Sequence, residues 1–181
     1  VSVMFTDFVN FTSISEKLSP EKLVHELDYC FKKFDEIITK FELEKIKTIG
    51  DAYLSVCGLP LANSNHAYLV VAAAVEILDF MKNYQKTCES EGRPFFEIRI
   101  GIHSGPVVAG IVGVKKFAFD IWGDTVNTAS RMESTSEPGK INVSGTTYQL
   151  VKDQFACEYR GKINAKNKGD IDMYFVEKKD K

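Results

Sequence analysis

No stretch of this sequence stays apolar for long enough to cross a bilayer. The longest apolar run, residues 67–75, is followed at once by Glu76 and then Asp79. A membrane-spanning helix needs about 20 residues, so this run reads as the buried part of a core helix and no membrane insertion by the domain is expected. Close cysteine pairs are also lacking: Cys30, Cys57, Cys88 and Cys157 are scattered, which fits reduced thiols in a cytoplasmic setting better than a disulfide framework or a zinc site. Charge of one sign is absent too. The 23 Lys and Arg against 25 Asp and Glu leave a net charge of -2, too weak a field for non-specific binding to nucleic acid or a membrane surface. Histidine is sparse, and His25, His66 and His103 are far apart in sequence; none is assigned to metal or acid–base work. No internal repeat, low-complexity segment or signal peptide is visible in these residues.

What is present describes an ordinary globular domain, with 181 residues, 44% of them hydrophobic and 27% charged. That size predicts one domain over 1–181. The chain opens directly inside an apolar, strand-like run, which suggests a domain excised from a longer protein whose upstream regulatory domains are missing. Residues 1–6 read as a buried strand. Ser19 followed by Pro20 is a helix start, and Leu23, Leu27, Phe31, Phe34 and Ile38 carry helical spacing to about Lys40. Two β-prone runs, 45–49 and 53–57, meet through Gly50-Asp51 as a hairpin. A long helix over 65–88 follows, then strands at 95–102 and 107–112 joined by His103-Ser104-Gly105-Pro106. Gly123-Asp124-Thr125 opens a helix toward Met132, and 141–143, 146–151 and 173–176 complete a further α/β tail. The order β-α-β-β-α-β implies an α+β fold with a ferredoxin-like split βαβ core, both helices on one face, and an additional α/β C-terminal subdomain.

On that layout Asp7 leaves the first strand and Asp51 sits at the tip of the next two, which are its neighbours. Two carboxylates placed so can share hard divalent cations, which take oxygen ligands and bridge phosphate oxygens. Taken singly, each has a plainer reading, Asp7 as a helix N-cap and Asp51 as a turn residue. Lys47 lies just before the Gly50-Asp51 turn, Arg99 lies within a strand, Asn127 and Arg131 are four apart on one helix face, and Lys166 belongs to a basic loop. Each of these also has a structural alternative as a solvated lysine, an internal ion pair or a helix surface.

Together these segments resemble the catalytic domain of class III nucleotidyl cyclases over almost the whole chain. The resemblance is carried by Phe5-Thr6-Asp7-Phe8, by Lys47-Thr48-Ile49-Gly50-Asp51-Ala52-Tyr53, and by Arg99-Ile100-Gly101-Ile102-His103-Ser104-Gly105. The most specific stretch runs from Asp120-Ile121-Trp122-Gly123-Asp124-Thr125-Val126-Asn127 to Arg131-Met132. It implies that Asp7 and Asp51, with the backbone carbonyl of Phe8, bind two Mg²⁺ or Mn²⁺ ions. It further implies that Arg99 and Lys166 bind phosphate, Asn127 orients the ribose, and Arg131 stabilises the transition state. Lys47 and Asp120 would read the base. An ammonium and a carboxylate suit the pairing edge of adenine, so ATP is the substrate implied, with guanylate cyclase or a non-catalytic nucleotide-binding domain as alternatives. In this family the site lies between two catalytic domains, and the chain keeps both halves, so the partner implied is a second copy in a head-to-tail homodimer.

Overall fold

The structure, a computed structural model, describes residues 1–113, 117–165 and 169–179. Its centre is a seven-stranded sheet whose first four strands are β1 (Ser2–Val9), β2 (Glu44–Ile49), β3 (Ala52–Cys57) and β4 (Glu97–Ser104), in the spatial order β2-β3-β1-β4. All three contacts among them are antiparallel. This is the split βαβ arrangement: the chain leaves β1 through α1 (Phe11–Ser15) and α2 (Pro20–Lys40), and leaves β3 through α3 (His66–Ser90). Past β4 the sheet continues with β7 (Ile141–Ser144), which is parallel to β4. β9 (Gly169–Lys178) and β8 (Phe155–Ala165) then complete the sheet, both in antiparallel contacts.

The pleat of β1 sorts the two faces. Met4 and Phe8 point into the cluster formed with α2 and α3, while Val3 and Phe5 point to the opposite face with Ala129 and Ile121. A strand alternates its side chains in this way, so both faces of β1 are buried and the run reads as continuously apolar. α2 begins as its sequence dictates, with Ser19 Oγ accepting the Lys22 N–H at 3.3 Å and Pro20 at the first helical position. Its inner stripe is Cys30, Phe34, Ile37 and Ile38. The apolar run 67–75 lies in α3, where Val70, Val71, Ala73 and Ala74 are buried. Phe8 stacks on Phe96 at 4.8 Å between centroids, and Phe34 meets Tyr53 edge-on at 5.7 Å. The Tyr53 hydroxyl, pushed up by burial and by the carboxylate beside it, donates to Asp35 Oδ1 at 2.5 Å.

Three elements depart from the sequence reading. The strand after β4, β5 (Val108–Val112), does not extend the main sheet but pairs with β6 (Ala118–Trp122) as a separate two-stranded hairpin. The segment 118–122, which precedes the Gly123-Asp124-Thr125 helix start and has no element in the sequence reading, is therefore a strand. Residues 155–165, unassigned from sequence, form the long edge strand β8. Charged residues interleave with apolar ones there, and a register shift between Tyr159 and Gly161 breaks the alternation. A bulge in β2 between Lys45 and Lys47 was also unanticipated.

Phe34 is fully buried among aromatic rings. Phe34→Ala is expected to cost about 3–5 kcal/mol of stability, measurable as a lowered midpoint in denaturant-induced unfolding.

Candidate active site

The carboxylates converge on the sheet face opposite α2 and α3. Asp7 lies at the end of β1 directly across from Arg99 on β4, and Arg99 Nη2 donates to Asp7 Oδ2 at 3.1 Å. The β2–β3 turn brings up Asp51. Ile49 and Ala52 pair, so Gly50-Asp51 is a two-residue loop, and Gly50 takes the φ of 63° that such a tight turn demands. The Asp51 carboxyl is pushed above its ordinary range, first by burial and next by the negative charge of Asp7. The charge of Arg99 pulls the Asp51 carboxyl the other way, but less than burial and Asp7 push it up.

One acid of the cluster is absent from the sequence reading. Glu133, near the end of α4 (Asp124–Ser134), accepts from Arg99 Nε at 2.7 Å. It is buried, and burial pushes its carboxyl up against the opposing pull of Arg99. Its signal in the sequence was its place in Arg131-Met132-Glu133, immediately after the most specific motif, but nothing local reveals that it turns inward.

α4 is pressed tightly onto β4. A Cβ added at Gly101 would lie 1.8 Å from the backbone N of Glu133 and 2.4 Å from the carbonyl carbon of Met132. Asn142 on β7, fully buried, donates from Nδ2 to the Met132 carbonyl at 2.8 Å, and Thr125 Oγ1 donates to the Pro106 carbonyl at 2.6 Å. These contacts fix both ends of the helix that carries Asn127 and Arg131. Asn127 is exposed. Arg131 Nη1 donates to the Asn164 carbonyl on β8 at 3.3 Å, so its recorded bond runs to the edge strand and not to the carboxylates. Lys166 lies outside the described residues.

The remaining pair is joined across two hairpins. Lys47 Nζ is 2.5 Å from Asp120 Oδ2, and Asp120 Oδ1 accepts the Ile121 N–H at 2.8 Å. The bulge in β2 makes this contact possible. Residues 45 and 47 would share a face in a regular strand, yet Lys45 turns to Asp35 on α2 while Lys47 turns to Asp120 on the other side.

The donor set suits hard cations. Asp7 and Asp51 offer only oxygens, and Phe8 lies beyond the last β1–β3 pair, Thr6 with Tyr53, where that side of the ladder is open. Among the described residues no three His, Cys, Asp or Glu side chains form a metal cage. Two carboxylates leave positions for water and phosphate oxygens, as a magnesium-type ion prefers.

Residues 1–178 match the pattern of the adenylate and guanylate cyclase catalytic domain. The chain belongs to this family. Human guanylyl cyclase C is 43% identical over 180 residues, which is 97% of this chain and 17% of that protein. An adenylate cyclase of Mycobacterium tuberculosis is 39% identical over 175 residues, 97% of this chain and 39% of its own length. The chain thus spans well under half of these relatives. Among solved structures, the catalytic core of a rhodopsin-guanylyl cyclase with converted specificity, in complex with ATPαS, superposes with a TM-score of 0.90 at 39% identity, covering 98% of this chain and 95% of that one. The seven-stranded α+β sheet is the cyclase fold. No helix among the described residues is long and apolar enough to cross a membrane.

Because backbone atoms occupy the space beside Gly101, they cannot yield as a flexible side chain would. Gly101→Ala is expected to destabilise the domain by about 1–3 kcal/mol or more, seen as a lowered melting temperature.

Proposed function

We propose that this domain converts ATP to 3′,5′-cyclic AMP and pyrophosphate at sites shared by two copies of the chain. The observation that carries the choice of ATP is the pairing of Lys47 with Asp120. Adenine presents a ring nitrogen that accepts and an amino group that donates, so an ammonium and a carboxylate side by side complement it. Guanine presents a carbonyl and an N–H in the reverse order. A site that hydrogen-bonds its substrate rejects the wrong edge strongly, because its own polar groups would be left unpaired. The 43% identity to guanylyl cyclase C favours GTP as the second reading. Retention of Asp7, Asp51, Asn127 and Arg131 speaks against a non-catalytic nucleotide-binding role.

In this reading Asp7, Asp51 and the Phe8 carbonyl hold two Mg²⁺ or Mn²⁺ ions. Bound there, such ions would neutralise phosphate charge and acidify the ribose 3′-hydroxyl. The 3′-oxygen bonds to the α-phosphorus, the bond from that phosphorus to the bridging β-phosphate oxygen breaks, and the hydroxyl proton passes to solvent. Asn127 orients the ribose. Arg131 supplies a fork of donors to the pentacoordinate phosphoryl group, a geometry that guanidinium matches. Arg99 and Lys166 bind the departing phosphates. In-line phosphoryl transfer asks mainly for positioning and charge neutralisation.

A second copy is invoked because the proposed groups fall into separate sets. Asp7, Asp51 and Arg99 form one, while Arg131 is turned toward β8. The β5–β6 hairpin offers a surface for the partner: Val108, Ile111 and Val112 are 68%, 65% and 64% exposed, an apolar patch of the kind that marks interaction sites. We place the domain in the cytoplasm, on the cytosolic side if the longer protein is membrane-attached, with regulation supplied by further domains.

Incubation with ATP or GTP and Mg²⁺ or Mn²⁺, followed by product identification, is expected to yield mainly cyclic AMP; cyclic GMP as the sole product would overturn the choice. Lys47→Glu combined with Asp120→Cys is expected to raise GTP turnover relative to ATP. Mixing inactive Asp51→Ala with inactive Arg131→Ala chains is expected to restore part of the activity, and no recovery would count against shared sites.

A further inference from the structure

Glu133 has no part in the proposed reaction, yet among the described residues it is the one buried carboxylate, 7% exposed. Among the described residues its carboxylate accepts from Arg99, which it holds by Nε at 2.7 Å while the Nη2 of the same guanidinium reaches Asp7 Oδ2 at 3.1 Å. Arg99 cannot shed its charge, so it competes with any cation for the Asp7 carboxylate. A second carboxylate that holds the guanidinium weakens that competition.

We propose that Glu133 is a positioning residue that, through Arg99, sets how tightly Asp7 binds a divalent cation. Its own place is fixed by backbone. The close approach at Gly101 involves the Glu133 N, and Asn142 holds the preceding carbonyl. With its backbone fixed there, Glu133 reaches Arg99 from α4 and acts as a tether against a swing of the guanidinium toward Asp7. With the tether cut, more of the Arg99 charge falls on Asp7, and a cation must displace it. With Arg99 also absent, Glu133 has nothing to act through. This inference rests on the reading of Asp7 as a cation ligand.

The test is a double-mutant cycle on the 181-residue chain. Mn²⁺ affinity is measured by calorimetry without nucleotide, on the unmodified protein, Glu133→Gln, Arg99→Gln and the double variant, with thermal melts to confirm folding. Glu133→Gln alone is expected to weaken Mn²⁺ binding by about tenfold, and by less than about twofold when added to Arg99→Gln. An equal loss in both backgrounds would mean that Glu133 acts by its charge directly, and no loss in either would make its role merely structural; both results overturn the proposal. If Glu133→Gln gives no cooperative melt, Glu133→Asp takes its place in the cycle. It keeps the charge but retracts the oxygen, so a loss confined to the background with Arg99 intact supports the tether. Equal Mn²⁺ binding by Asp7→Asn and the unmodified chain would instead remove the cation site itself, and this proposal with it. A site lost in Asp7→Asn, with equal losses through the cycle, overturns the tether alone.

Discussion

The contact on which the site depends is the backbone-to-backbone approach of α4 to β4 at Gly101. A side chain of even one carbon at that position would occupy the space of Met132 and Glu133. Because there is none, the helix lies flat on the sheet. From that seat Glu133 reaches inward to Arg99, Arg131 faces β8, and Asn127 lies near the exposed start of the helix. Asn142 and Thr125 hold the two ends by hydrogen bonds to backbone carbonyls. Interiors packed to this density transmit a displacement and do not absorb it. The position of the helix is thus set by the sheet, and the polar groups on it inherit that precision.

Electrostatically the site is a cluster of three acids around one base. Asp7, Asp51 and Glu133 surround Arg99, and the carboxyls of Asp51 and Glu133 are both pushed upward, with burial the leading cause in each. Such an arrangement carries more negative charge than the protein itself neutralises. Removing either member of a buried pair leaves the other uncompensated, so ionic groups of this kind tend to stand or fall together.

Much of this was legible in the sequence, and the reasons are specific. The period of α2, its Ser19-Pro20 start and the apolar core of α3 identify two helices because their burial is one-sided or complete. Gly50-Asp51 marks a hairpin because only a few residues adopt its backbone. The antiparallel order of the first four strands follows from the succession of elements, and it brings Asp7 and Arg99 opposite each other. The β5–β6 hairpin was not legible as a separate unit: β5 is as β-prone as its neighbours, and only tertiary structure decides whether it joins the main sheet. β8 escaped notice because an edge strand with charged residues and a register shift lacks clean alternation. Glu133 escaped because a glutamate on a helix is ordinarily solvated.

One small irregularity has a disproportionate reach. The extra residue in β2 lets two lysines two positions apart look to opposite sides of the sheet, one toward the helical layer and one toward Asp120. A chain shortened by that residue would keep its hairpin, its hydrophobic layers and every acidic group, and would still lose its partner for Asp120. The contact between Lys47 and Asp120 thus hangs on a miscount in the pleat, a feature that comparing residue identities position by position would pass over.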